Sequence, residues 1–124
     1  MHLTYCIDVE TKIVTITGDY ADADDWRALL TAVSVDPQYR RGFSFLRDVR
    51  QSAHPVSAET VMGIIAVVRE FWGRLGVHRA AIVTRPGVNN PAVIAHALAD
   101  DQQIPLRTFP SYDDAMRWLQ EGGE

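Results

Sequence analysis

Several features that mark particular protein classes are scarce or missing in this 124-residue chain. Cys6 is its single cysteine, so an internal disulfide framework is excluded and a reducing compartment, the cytoplasm, is expected. No basic block accompanies the net charge of −4, so nucleic acid and anionic membranes are not expected as partners. No apolar run approaches the roughly 20 residues of a membrane-spanning helix, so no integral membrane segment is expected.

The chain does contain enough apolar sequence for one core. Hydrophobic residues make up 47% of it, and its length suits a single domain over residues 1–124. Residues 3–9 and 12–18 alternate apolar with polar side chains, which predicts an N-terminal β-hairpin. Residues 22–33 place apolar side chains at i, i+3, i+4 and i+7 behind acidic residues, which predicts a first helix.

The rest of the chain alternates strands with helices. Apolar segments "FSFLRDV", "RAAIVT" and "IPLRTF" predict three further strands, and helices are predicted to begin behind Ser57, Asn90 and Ser111 as caps. The predicted order is therefore β-β-α-β-α-β-α-β-α. This order is typical of an α/β fold with a mixed β-sheet, in which the hairpin is antiparallel, the later strands are parallel and the helices pack against the sheet.

A known family shares this arrangement. The hairpin "YCIDVETKIVTITGDY", the segments "DDW", "DP", "FLRDVR" and "RAAIVT", and the closing "FPSYDDAMRWL" together resemble the SpoIIAA-like, or STAS/SEC14-type, small bacterial proteins. These proteins are relatives of the anti-sigma-factor antagonists. The resemblance spans nearly the whole chain and implies one STAS-like domain without cofactors. It also implies a non-enzymatic module that binds a protein partner or senses a small ligand.

The same resemblance singles out one serine. In the antagonist branch, a partner kinase phosphorylates a serine at the N-terminus of the helix that follows the third strand. Ser57 occupies that position here, in the stretch "PVSAE", although the Asp-Ser-Ser-Gly turn of that branch is absent. Ser57 is therefore expected to cap its helix first, and it is the candidate regulatory residue.

Ligand-binding candidates follow from the predicted ends of the parallel strands. Helix N-termini at such joints present free backbone N–H groups, and α/β sheets bind ligands there. Asp48, Arg50, Arg85 and Asn90 fall in or beside these joints and could line a small polar pocket. The alternative for Asp48 is a structural carboxylate that accepts hydrogen bonds from the backbone or from a nearby arginine.

Catalytic and metal sites find little support in the sequence. Asp48, Ser52 and His54 supply the residue types of a hydrolytic triad, but triads draw on separated segments and no nucleophile elbow surrounds the serine. The four histidines show no i, i+4 pair, and Cys6 stands alone, so the spacing of a zinc site is absent. We therefore expect no catalytic residues and no metal.

The second predicted helix is unusually apolar. Its stretch "VMGIIAVVREFW", residues 61–72, has few charges to face water, so it must be covered on more than one side. Gly63 within it could allow close approach of a neighbouring backbone. Two explanations are compatible with the sequence: a homodimer formed through this helix, or an internal apolar cavity. The cavity suggests an alternative function, a carrier of a small apolar molecule or lipid.

Overall fold

The computed structural model describes residues 3–18, 22–48, 58–83 and 106–121 as an α/β fold with a five-stranded sheet and three helices. In spatial order the strands are β1 (Leu3–Asp8), β2 (Ile13–Gly18), β3 (Ser44–Asp48), β4 (Ala80–Val83) and β5 (Leu106–Phe109). The helices are α1 (Ala23–Ser34), α2 (Ala58–Leu75) and α3 (Tyr112–Glu121). The predicted elements are confirmed over these residues. The helix predicted behind Asn90 lies outside the described residues.

The sheet is mixed, as the sequence predicts. β1 and β2 are antiparallel, whereas β2, β3, β4 and β5 run parallel to one another. A tight loop joins the hairpin: the Lys12 amide donates to the Asp8 carbonyl over 2.8 Å, and the Asp8 carboxylate accepts the Glu10 amide over 2.9 Å. Lys12 ends this loop in the left-handed backbone region, at φ 62°.

Helices cover both faces of the sheet. One apolar cluster joins α1 and α2 to side chains such as Val14, Ile16 and Phe45. The other joins α3 to the opposite face, through Leu46 and Val83. Because side chains alternate along a strand, consecutive residues of β3 contribute to different clusters. The β1–β2 part of the second face carries exposed Thr4, Cys6 and Thr17, as expected of a half-solvated antiparallel hairpin.

The first and last helices begin at side-chain caps. Asp22 caps α1 in a capping box with Asp25, each carboxylate accepting the other residue's amide. Ser111 accepts the Asp114 amide over 3.3 Å at the start of α3, as predicted. These caps satisfy amide groups that a helix N-terminus leaves without intrahelical partners.

Helix α2 packs along α1, and Gly76 follows its last residue, Leu75. A β-carbon on Gly63 would lie 3.5 Å from Cβ of Ala23 in α1, which is an ordinary contact. Gly76 adopts φ 63°, the left-handed conformation that closes many helices. No helix of the described residues has the length and apolarity needed to cross a membrane.

The loop that precedes β3 satisfies the carbonyls at the end of α2. Arg41 Nη1 donates to the carbonyls of Gly73 and Arg74, each over 3.0 Å, and the Tyr39 hydroxyl donates to that of Leu75 over 2.8 Å. These carbonyls have no intrahelical partner, so the loop fixes where α2 ends relative to the sheet.

Candidate functional site

One of the residues predicted to line a polar pocket is placed by the structure. Asp48 is the last residue of β3, half-buried, and it pairs in register with Val83 of β4. Ser57, Arg50, Arg85 and Asn90 lie outside the described residues. The predicted pocket at these strand ends therefore stays a prediction, as does the regulatory role of Ser57.

The described residues form an apolar cavity on the other face of the sheet. The cavity measures about 100 Å³ and lies between α1, α2 and the strands. Its wall combines strand residues with residues of both helices, among them Ile16, Phe45, Trp26, Ile64, Val68 and Trp72. Arg47 is the one charged residue of this lining. The cavity thus lies beneath α2, the apolar helix for which the sequence predicts either an internal cavity or a homodimer.

A small residue in the sheet contributes to the unfilled volume. Strand β4, next to the edge strand β5, places Ala80 in the lining, on the face that α1 and α2 cover. A side chain as short as alanine leaves space beneath α2 that a longer apolar side chain would fill. Protein interiors otherwise pack with few voids larger than a water molecule.

Arg47 and Trp26 define one side of the cavity. The Arg47 guanidinium carbon lies 5.8 Å from the centre of the Trp26 ring, within the range of a cation–π contact. Its two terminal nitrogens also donate to the Gly18 carbonyl, over 3.3 and 3.4 Å. These contacts hold a positive charge against an otherwise apolar wall.

The described residues of the lining carry no group for acid–base or nucleophilic chemistry. Apart from Arg47, the residues that line the cavity are aliphatic or aromatic. Arginine stays protonated in proteins and rarely transfers protons. Within the described ranges, no three His, Cys, Asp or Glu side chains lie close enough together to hold a metal ion.

Sequence reasoning did not single out Arg47. The available signal was its position: Arg47 follows Leu46 by one residue and therefore lies on the same face of β3 as Phe45. That face is the one that α1 and α2 cover. The conspicuous neighbour Asp48 belongs to the opposite face, so the apparent cluster of polar residues at the end of β3 is divided between two sides of the sheet.

No protein-family model matches this chain, and no curated protein matches it. The resemblance to the SpoIIAA-like proteins therefore remains a prediction from the sequence.

Proposed function

We propose that this protein is a non-enzymatic, STAS-like sensor of a small ligand in the cytoplasm, and that α2 and the sheet enclose the ligand between them. The observation that carries the proposal is the apolar cavity of about 100 Å³ lined by both helices and the central strands. Ligand sites are concave, mostly apolar and furnished with few polar groups. The cavity has these properties, with Arg47 as the polar group.

The size of the cavity favours a sensor of small molecules over a lipid carrier. An engineered apolar cavity of about 150 Å³ stays dry and binds benzene, so a volume of 100 Å³ suits a ligand of only a few heavy atoms. A lipid acyl chain is several times larger and would have to displace α2 from the sheet. Because the lining is apolar, lipid carriage is the alternative function. It requires that α2 move away from the sheet.

Ligand binding would be communicated through α2. This helix lines the cavity on its inner side and exposes Met62 at 58% on its outer side. A ligand that fills the cavity holds α2 in one position on the sheet and so changes the surface that a protein partner meets. Ser57 directly precedes α2 in the sequence, so a phosphate there would act on the same helix.

Binding of benzene or xenon tests the proposal. Trp26 and Trp72 line the cavity, whereas Trp118 belongs to the cluster on the opposite face. We expect saturable NMR shifts of the Trp26 and Trp72 indole N–H signals and an unchanged Trp118 signal. In Ala80→Val, which narrows the cavity, the shifts should be much smaller.

Two other results would decide against the proposal. Equal shifts in the wild type and in Ala80→Val, or shifts at Trp118 as large as those at Trp26, would show non-specific partitioning. Recovery of a bound lipid by organic extraction of the purified protein would favour the carrier instead.

A further inference from the structure

A polar groove lies where strands β2, β3 and β4 begin, at the end of the sheet opposite Asp48. It measures about 810 Å³, and Lys12, Phe43 and His78 contribute to its wall. The backbone brings these three segments side by side: the Ser44 amide donates to the Lys12 carbonyl over 2.9 Å, and the His78 amide donates to the Phe43 carbonyl over 3.0 Å. Residues distant in sequence thereby share one surface.

Positive charge dominates the wall of the groove. Lys12, Arg40 and Arg41 line it together with one acid, Glu10. Neutral carbonyl oxygens hold both guanidinium groups: Arg40 Nη1 donates to Pro37 over 2.7 Å, and Arg41 Nη1 donates to the end of α2. Such bonds fix the position of a guanidinium; the partly negative C-terminus of α2 offsets part of the Arg41 charge, whereas the charges of Lys12 and Arg40 remain. The groove therefore attracts anions, although the whole chain is acidic.

Two buried polar atoms in the groove lack partners. Thr11 Oγ1 and His78 Nε2 are shielded from solvent and make no hydrogen bond with any described residue. Both residues line the groove. Buried polar atoms are nearly always hydrogen-bonded because an unpaired one destabilises the fold. A phosphate in the groove would satisfy both atoms once the side-chain atoms that cover them move aside.

Lys12 adds an independent observation. It is the only lysine of the chain, and its φ of 62° is a conformation that glycine adopts freely and L-residues adopt at a cost. The hairpin loop accounts for this conformation, because short β-hairpin loops commonly end on a left-handed residue. The turn places the ammonium group of Lys12 on the wall of the groove.

We propose that this groove binds a phosphate group, either free or carried by a small molecule. The Lys12 ammonium and the Thr11 hydroxyl donate to the phosphate oxygens together with the ring N–H of His78, while Arg40 and Arg41 supply the surrounding positive field. A phosphate offers several acceptor oxygens to donors that converge from different directions, and charge-assisted hydrogen bonds to it are strong. The site is separate from the apolar cavity and does not depend on the proposed function.

Titration of the ¹⁵N-labelled protein with inorganic phosphate tests the proposal, with chloride used to keep the ionic strength constant. We expect saturable shifts of the Thr11, Lys12 and His78 signals. In Lys12→Gly, which removes the ammonium group and relieves the backbone strain, affinity should fall about tenfold, the equivalent of one charge-assisted hydrogen bond. Arg27→Gln removes one positive charge from the exposed face of α1 and should leave affinity unchanged.

A second variant separates binding from folding. Thr11→Val replaces an unpartnered hydroxyl with a methyl group of similar size, so we expect an equal or higher Tm together with weaker phosphate binding. Glycerol 3-phosphate serves as a second ligand: tighter binding than inorganic phosphate indicates a small organic phosphate, and equal or weaker binding indicates the free ion.

Three results would overturn the proposal. Shifts that do not saturate would show that the groove is only hydrated. Equal losses in Lys12→Gly and Arg27→Gln would show general charge screening. A Thr11→Val protein that loses stability while binding phosphate normally would show that the hydroxyl has a structural role.

Discussion

The guanidinium group of Arg41 lies directly against Gly76, at the end of α2. A β-carbon on Gly76 would lie 2.8 Å from Cζ of Arg41, closer than real β-carbons approach, and 3.0 Å from its Nε. The same guanidinium donates hydrogen bonds to two carbonyls in the last turn of α2. Arg41 also lines the polar groove and Leu75 lines the apolar cavity, so this contact lies between the two candidate sites.

Gly76→Ala should therefore destabilise the protein. Its left-handed conformation costs an L-residue about 1–2 kcal/mol, and the added methyl group also displaces Arg41, so we expect the free energy of unfolding to fall by about 2 kcal/mol. Gly73→Ala is the matched control, because nothing lies within 4 Å of its added β-carbon. Inside a helix that change stabilises by roughly 0.5–1 kcal/mol. Urea unfolding measures both changes, and equal signs would contradict the left-handed conformation of Gly76.

Ala80→Val should stabilise the protein by filling part of the apolar cavity. Each buried methylene contributes about 0.8 kcal/mol, and valine favours strands, so we expect a gain of about 1 kcal/mol in the free energy of unfolding. Ala115→Val is the control: Ala115 is fully buried in α3 and does not line the cavity. Overpacking at such a site costs about 1–3 kcal/mol. A loss at both positions would mean that α2 already packs tightly on β4.

The strands and helices of the described residues could be predicted from the sequence because their signals are local. Alternation marks β1 and β2, helical spacing marks α1, and Ser111 with Asp114 marks the start of α3. The apolar cavity could not be predicted, since its volume depends on how far α2 stands from β4. The sequence is compatible with either a cavity or a homodimer, and the cavity becomes visible only in the three-dimensional packing.

The polar groove was missed for a different reason. Its basic residues come within four residues before three different strands: Lys12 before β2, Arg40 and Arg41 before β3, and His78 before β4. That recurrence was visible in the sequence. The rule that α/β sheets bind ligands at the carboxyl ends of their strands directed attention to the other end. Once parallel pairing is known, basic residues before successive strands necessarily meet at one edge.

The stability of the protein should fall in alkaline solution because of Tyr39. Burial raises the pKa of Tyr39 from 10.0 to about 12, against a smaller opposing effect of the Arg41 charge. A raised pKa in the folded state means that stability is fully present below pH 10 and declines as the pH rises from 10 toward 12. The loss should reach up to ~2 kcal/mol, less than the full shift implies because Tyr39 is only partly buried.

Tyr39→Phe provides the control for that titration. It removes the hydroxyl bond to the Leu75 carbonyl, so it should cost about 1 kcal/mol at neutral pH, but it should flatten the alkaline decline. Burial and then the hydrogen bond to Asp36 also raise the pKa of Tyr5, so part of the decline should persist. Urea unfolding at several pH values measures both effects. If stability falls as steeply with alkaline pH in Tyr39→Phe as in the wild type, groups other than Tyr39 cause the decline.

The N-terminal cap of α1 should control access to the cavity, because Trp26 lies one turn beyond it and lines the cavity wall. Asp22→Ala removes the carboxylate that accepts the Asp25 amide over 3.0 Å and should cost about 1 kcal/mol. Fraying of this turn exposes Trp26, so quenching of tryptophan fluorescence by acrylamide should increase.

Asp24→Ala removes an exposed charge from the same turn but no cap, and should change quenching little. Salt should weaken only the small effect of Asp24, since screening reduces charge–dipole interactions more than a cap hydrogen bond. Equal quenching in the two variants would show that access to the cavity does not pass through this end of α1.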